Sequence, residues 1–100
     1  MIYCFDCDGV ICKTQGTDYE RSFPNQEVID KINYLYDKGH TIKIFTGRGS
    51  VSGLDWQNLT RKQLGKWRVK YHELIMGKPN YDIFIDDLAW NVKDFKEDRI

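Results

Sequence analysis

Two aspartates near the start of the chain, Asp6 and Asp8, are separated by one residue and followed by Gly9. They come after the apolar residues 2–5, which predict a strand that ends where the acids begin. Because positions two apart share a face of a strand, this spacing directs both carboxylates towards one point. Two adjacent negative charges repel each other unless a cation or a shared proton relieves them. The pair therefore indicates either a bound Mg²⁺ or different pKa values for the two carboxyl groups. Either condition is typical of a catalytic site.

Further reactive side chains follow two later apolar segments, and a lysine lies in a turn between them. These residues are Thr46, Gly47 and Arg48 after residues 41–45, Lys78 in the turn 77–80, and Asp86 and Asp87 after residues 81–85. The carboxyl ends of parallel strands meet at one edge of a sheet, where ligands bind in open α/β folds. We therefore expect groups that are scattered along the chain to converge on one rim.

The chemistry of this set is that of a phosphate site with a metal ion. Carboxylates without a thiolate or imidazole partner select a hard cation, and Mg²⁺ commonly combines one or two carboxylates with substrate phosphate. The hydroxyl of Thr46, the backbone near Gly47 and the charges of Arg48 and Lys78 suit phosphoryl oxygens. The predicted metal ligands are Asp6, Asp8, Asp86 and Asp87.

A C-x-x-C pattern formed by Cys4 and Cys7, with Cys12 nearby, has to be weighed against this interpretation. A redox pair needs a helix N-terminus and a zinc site needs further ligands, whereas both histidines lie far along the chain. We expect Cys4 in the core and Cys7 as a small residue between the two aspartates. An odd number of clustered cysteines also suits a reducing compartment.

The composition bounds the size and class of the protein. One hundred residues predict a single domain, 1–100, and the 15 basic and 15 acidic residues cancel. Without a basic excess, nucleic acid is not the partner that bulk charge favours. The chain begins without a secretory signal and has no apolar run near the roughly 20 residues that span a bilayer. We expect a soluble, cytoplasmic protein with no membrane partner.

Alternating strands and helices position the predicted site. A strand, a helix opened by Pro24 and Asn25 and ended at Gly39, and a second strand over residues 41–45 form a βαβ unit. The T-x-x-Q pattern at residues 60–63 predicts a capping box, and later strands are predicted near residue 76 and over residues 81–85. An amphipathic helix with Leu88, Ala89, Val92 and Phe95 follows. The pattern predicts a three-layer α/β domain with about four parallel strands, overhung by a loop or loose hairpin over residues 12–22.

In their order along the chain, Asp6-Cys7-Asp8-Gly9, Thr46-Gly47-Arg48, Gly77-Lys78-Pro79 and Asp86-Asp87 resemble the four motifs of haloacid dehalogenase-like (HAD) hydrolases, most of which are phosphatases. The match spans nearly the whole chain. Its brevity is similar to small capless bacterial members linked to capsule or lipopolysaccharide biosynthesis. The resemblance implies a Rossmann-like core without a cap domain, and a Mg²⁺-dependent phosphatase that hydrolyses a small phosphate ester such as a sugar phosphate.

The resemblance also implies roles for individual residues. Asp6 is the nucleophile that forms an aspartyl-phosphate, and Asp8 first protonates the leaving oxygen and then acts as general base. Thr46 and Lys78 hold the transferring group.

The same resemblance implies the metal ligands. Mg²⁺ is held by the Asp6 carboxylate, the Asp8 carbonyl and Asp87, with Asp86 further from the ion. Asn91 stands where many relatives have a second acid, so an acidic contribution there is missing.

Two alternatives stay open at this point, together with the oligomeric state. The first is a polynucleotide-end phosphatase, which an open site permits. The second is a non-enzymatic phospho-acceptor module, which also gathers acids, a threonine and a lysine at the edge of a parallel sheet. Such modules lack an acid two residues beyond the acceptor, so Asp8 favours turnover. Candidate substrate contacts are Tyr19, Arg21, Arg48 and Trp56.

Overall fold

A parallel sheet of three strands forms the frame of the protein. The computed structural model describes residues 1–97, so the last three residues of the predicted domain lie outside the described part. The elements in chain order are β1 (Ile2–Asp6), β2 (Cys12–Lys13), β3 (Phe23–Pro24), α1 (Gln26–Asp37), β4 (Thr41–Thr46), α2 (Gln57–Lys66), β5 (Glu73–Met76) and α3 (Val92–Glu97). Strands β1, β4 and β5 lie in that order in the parallel sheet.

The predicted βαβ unit is confirmed. Asn25 occupies the N-cap position of α1, and Gly39, just beyond the C-cap, adopts the left-handed φ of 92° that ends the helix. β1 then pairs with β4 in parallel, from Ile2 opposite Thr41 to Asp6 opposite Phe45. The apolar residues that repeat at helical spacing along α1 are buried in the core: Val28, Ile29, Ile32 and Leu35.

Within residues 1–97, buried residues of the helices pack with one face of the sheet. Phe5, Ile44 and Leu74 share that face by strand register, and they belong to the core cluster that also contains buried residues of all three helices. No side chain that β1, β4 and β5 direct to the opposite face is buried: Ile2, Cys4, Asp6, Thr41, Lys43, Phe45, Glu73 and Ile75. The buried core thus lies on one face of the described sheet, and the predicted three layers are not confirmed.

The segment between β5 and α3, residues 77–91, forms neither a helix nor a strand. It therefore adds no second helical layer to the described sheet. Cys4, which we expected in the core, is exposed.

Residues 81–85 do not form the predicted fourth strand. They are irregular, every side chain from 81 to 90 is exposed, and Ile83 and Ile85 are 78% and 91% exposed. The Lys78 ammonium lies 5.0 Å from the ring centre of Tyr81 and 5.6 Å from that of Phe84. These cation–π contacts join residues 81 and 84 to the turn that carries Lys78. The last helix begins only at residue 92, so the predicted helical residues 88 and 89 lie outside it.

A small hairpin stands beside the carboxyl end of β1, where a loop or loose hairpin is predicted. β2 and β3 pair antiparallel, with Cys12 opposite Pro24 and Lys13 opposite Phe23. The chain between them carries a 3₁₀ turn at Tyr19–Arg21. Residues 1–97 form no cap domain, and none of their helices combines the length and apolar character needed to cross a bilayer.

Candidate functional site

An ion pair between Asp6 and Lys78 lies at the carboxyl end of β1. Lys78 Nζ is 3.1 Å from Asp6 Oδ2, and the Lys78 side chain is only 12% exposed. Asp6 Oδ1 accepts a hydrogen bond from the Cys7 backbone N–H at 2.8 Å. Burial alone lowers the pKa of Lys78, but its hydrogen bond with Tyr81 and the charge of Asp6 outweigh this and raise the pKa. The lysine is therefore a fixed positive charge beside a carboxylate.

Thr46 and Gly47 bring the Lys78 turn to this position. The Lys78 backbone N–H donates to the Thr46 carbonyl at 3.0 Å, and Ser50 Oγ donates to the Lys78 carbonyl at 2.6 Å. A Cβ atom on Gly47 would lie 3.0 Å from that carbonyl, which is too close for a side chain without movement. The missing side chain of Gly47 thus serves the packing of two loops. Thr46 itself is fully buried, and its hydroxyl accepts the Arg48 backbone N–H at 3.2 Å.

A second ion pair joins Arg48 to Asp8. Arg48 Nε lies 3.0 Å from Asp8 Oδ2, and its terminal nitrogen NH2 lies 2.9 Å from Oδ1, so the pair is bidentate. Thr14 Oγ1 donates a further hydrogen bond to Oδ1 at 2.6 Å. Burial alone raises the pKa of Asp8, yet the bonds from Arg48 and Thr14 together outweigh it and hold the pKa below its usual range.

Arg48, predicted to bind phosphate, makes its contacts within the protein. The residue is 2% exposed, and NH1 donates to Thr60 Oγ1 at 3.1 Å and to Gln63 Oε1 at 2.6 Å. NH2 also donates to Ser22 Oγ at 3.2 Å. A guanidinium has five N–H donors, and these bonds engage all of its nitrogens within the protein. Its charge faces side chains instead of an open site.

The residues that hold this arginine, Thr60 and Gln63, were not predicted as parts of the site. The prediction of a capping box at Thr60 and Gln63 is wrong, because α2 begins at residue 57 and both side chains are buried inside the helix. A capping box and a pair of polar residues one helical turn apart share the same spacing. The two cases differ only in the contact with Arg48, which lies elsewhere in the chain. No local signal therefore identifies Thr60 and Gln63 as its partners.

A thiol pair lies beneath the two aspartates. Cys7 Sγ is 4.0 Å from Cys12 Sγ, both residues are fully buried, and Cys12 Sγ lies 3.4 Å from Asp8 Oδ1. The hydrogen bond with Cys12 and burial raise the pKa of Cys7, so this thiol stays protonated. Cys7 is therefore the small residue between the aspartates that we expected, with a buried cysteine as its neighbour.

Neither Asp86 nor Asp87 belongs to a compact group of three potential metal ligands within residues 1–97. Both are exposed, and Asp86 Oδ1 accepts the Leu88 backbone N–H at 2.7 Å. They belong to the irregular segment that follows Lys78. The failure of residues 81–85 to pair with the sheet leaves both carboxylates on that segment.

The side chains of the four predicted Mg²⁺ ligands do not form one compact group within residues 1–97. Within residues 1–97, one group of three potential ligands has its ligand atoms within 4.8 Å of one another, namely Cys7, Asp8 and Cys12. No three of the four predicted carboxylates share a site of that size. Two buried thiols and a carboxylate bonded to arginine are not the oxygen donors that Mg²⁺ prefers.

An open cavity of about 540 Å³ lies at the hairpin, and neither Asp6 nor Asp8 is among the residues that line it. Its volume lies in the range of small-molecule sites. Beside it, the Tyr19 ring lies 4.8 Å from the Arg48 guanidinium and 5.0 Å from the Trp56 ring, so both predicted aromatic contacts lie together. The cavity is lined by Gly9, Lys13, Thr14, Gln15, Asp18 and Arg21.

Solved structures share this fold. A crystal structure of a protein from Vibrio cholerae matches with a TM-score of 0.90 and 24% identity, over 99% of this chain and 89% of that chain. A chain of the Pnkp1/Rnl/Hen1 complex matches with a TM-score of 0.62 and 20% identity, over 99% of this chain and 34% of that one. A structure of the Pnkp1/Rnl/Hen1 RNA repair complex matches with a TM-score of 0.61 and 16% identity, over 96% of this chain and 29% of that chain. No family model and no curated protein matches the sequence. The chain thus has an α/β fold in common with these structures.

Proposed function

We propose that the protein is a phosphatase that hydrolyses a small phosphate ester through a phosphorylated Asp6. One observation carries this proposal: a carboxylate at a strand end is paired at 3.1 Å with a largely buried lysine, and a second carboxylate follows two residues later. Asp6 and Asp8 both lie at the sheet edge where open α/β folds bind ligands.

The proposed reaction has two displacement steps at phosphorus. In the first, an Asp6 oxygen attacks phosphorus, an acyl-phosphate bond forms, the bond to the leaving oxygen breaks, and that oxygen takes up a proton from solvent water. In the second, water attacks the same phosphorus, a base removes its proton, and inorganic phosphate leaves Asp6 free. The ammonium of Lys78 offsets negative charge on the phosphoryl group, and ionised Asp8 is suited to take the proton from water.

The substrate proposed is a small phosphorylated metabolite such as a sugar phosphate. The described part of the chain has no cap domain that would enclose Asp6 and Asp8, and the cavity at the hairpin includes Thr14, which donates a hydrogen bond to Asp8. The motif resemblance adds a cytoplasmic role in capsule or lipopolysaccharide biosynthesis as a further proposal. The sequence also predicts that the activity depends on Mg²⁺. The assay described below tests this by comparing Mg²⁺ with EDTA.

A polynucleotide-end phosphatase is the second candidate. The chain shares its fold with a part of an RNA repair complex, and the aromatic pair near Asp8 offers surfaces on which bases stack. The neutral net charge argues against strong binding to a phosphate backbone. Release of phosphate from an oligonucleotide end, faster than from any small ester, would favour this candidate.

The deciding experiment is turnover of p-nitrophenyl phosphate and of a panel of phosphometabolites, each with Mg²⁺ or with EDTA. We expect the wild type to release phosphate and Asp6→Asn to be inactive. A protein that retains phosphate on Asp6 for hours without release would instead be a phospho-acceptor module. Equal inactivity of both proteins across all substrates would overturn the proposal.

A further inference from the structure

We propose that Arg48 is a positioning residue whose buried guanidinium fixes the Asp8 carboxylate next to Asp6 and does not bind the substrate phosphate. The inference rests on the proposed phosphatase function, because it concerns the same site. It replaces the phosphate-binding role that the motif predicts for this arginine.

The bidentate geometry restrains the orientation of the carboxylate. Nε and NH2 of Arg48 reach different oxygens of Asp8 at 3.0 and 2.9 Å. Two parallel hydrogen bonds fix both the direction and the plane of a carboxylate, whereas a single bond leaves it free to turn. The Arg48 side chain is fully buried, while that of Asp8 is 27% exposed. The arginine thus anchors the carboxylate from the protein side and leaves its outer side towards the solvent.

The guanidinium is itself held by two other elements. Thr60 and Gln63 on α2 accept both bonds from NH1, and Ser22, directly before β3 in the hairpin, accepts one from NH2. The Tyr19 ring lies over the guanidinium at 4.8 Å. Asp8 is therefore tied through one planar group to a helix and to the hairpin, which is the support that a precisely placed catalytic group requires.

Lysine does not reproduce this arrangement. Its ammonium is a point charge with three donors on a flexible chain, so it can pair with Asp8 but does not also fill the acceptors of Thr60 and Gln63. We expect Arg48→Lys to keep part of the activity and Arg48→Gln to keep less. A displacement of about 1 Å at a reacting group costs about 100-fold in rate. We expect a fall of that order in kcat for Arg48→Gln.

The test is a double-mutant cycle in kcat and KM with p-nitrophenyl phosphate. It compares Arg48→Gln, Asp8→Asn and the double variant, with Arg61→Gln on the exposed surface of α2 as the matched control. If Arg48 acts through Asp8, its substitution lowers kcat about 100-fold with KM changed less than about threefold, and adds nothing in the Asp8→Asn background. A tenfold rise in KM with kcat preserved, or additive losses in the double variant, would overturn the proposal.

Two further measurements cover loss of folding and loss of the proposed function. If Arg48→Gln does not fold, Thr60→Val loosens the guanidinium without removing it. We expect it to lower kcat three- to tenfold at unchanged KM, and an unchanged kcat would count against the inference. If the wild type hydrolyses no phosphate ester, the NMR signal of the Arg48 Nε–H still tests whether Arg48 is paired with Asp8. We expect slow exchange with solvent that accelerates at least tenfold in Asp8→Asn, and an unchanged exchange rate would exclude the pairing.

Discussion

Lys78 is the residue through which the proposed chemistry is most open to test. It is the largely buried cation at Asp6, and removing one electrostatic donor from a reacting centre commonly costs 10²–10³ in rate. We expect Lys78→Met to lower kcat/KM for an aryl phosphate about 100-fold and Lys78→Arg to lose less. Lys62→Met, an exposed lysine on α2, is the matched control. A loss below threefold in Lys78→Met would show that the lysine does not act on the phosphoryl group.

The Asp8–Arg48 pair predicts how stability changes with pH. The hydrogen bonds of Asp8 outweigh its burial and hold its pKa in the folded state below the ordinary 3.8. A depressed pKa contributes stability that is complete above pH 3.8 and is lost as the pH falls through the folded value. We expect the gap between wild type and Asp8→Asn, measured by urea unfolding, to be widest near neutral pH and to narrow below pH 3.8. A constant gap down to pH 3 would mean that the pair does not stabilise the fold.

At the scale of elements, the polar residues of α2 are as important as its apolar ones. Its buried residues are Thr60, Gln63 and Leu64, and Gln63 accepts a 2.6 Å hydrogen bond from Arg48. Replacing it by methionine leaves a buried donor without its partner, which costs about 1–3 kcal/mol. We expect Gln63→Met to lower the free energy of unfolding by that amount, with Lys62→Met as the exposed control. A change within about 0.5 kcal/mol would show that α2 does not need this contact.

Local signals predicted the elements that depend on local sequence. α1 was predictable because its apolar spacing and its terminal Gly39 both act within the helix. The positions of Asp6, Thr46 and Lys78 near one another were also predictable, since each follows a strand or enters the turn beside one. The role of Arg48 was not predictable, because a sequence motif does not show whether its arginine is buried or exposed. Its partners come from three distant segments of the chain.

The whole molecule differs from the sequence-based prediction at the free edge of the sheet. Residues 81–85 are rich in residues that favour strands, but a strand also needs a neighbour, and pairing is a non-local property. In the described sheet β1 and β5 are the edge strands, and the side chains on the face away from the core are partly or fully exposed. The two carboxylates at residues 86 and 87 consequently stay on an exposed segment.

This arrangement predicts how residues 81–85 respond to a charge. Ile85 is 91% exposed, so we expect Ile85→Asp to change the free energy of unfolding by no more than about 0.5 kcal/mol. Ile44, which is fully buried in β4, is the contrasting position, and Ile44→Ala should cost about 2–5 kcal/mol. Urea unfolding of both variants measures the difference. A loss of several kcal/mol in Ile85→Asp would place this segment in the sheet.

The central claim, that Asp6 carries phosphate during turnover, is tested most directly by trapping the intermediate. Protein mixed with an aryl phosphate is quenched in acid within its first turnovers, digested and analysed by mass spectrometry. We predict one added phosphoryl group on the peptide that contains Asp6, and none in Asp6→Asn. Release of phosphate with no phosphorylated Asp6 at any time, or phosphate on another residue, would contradict the account.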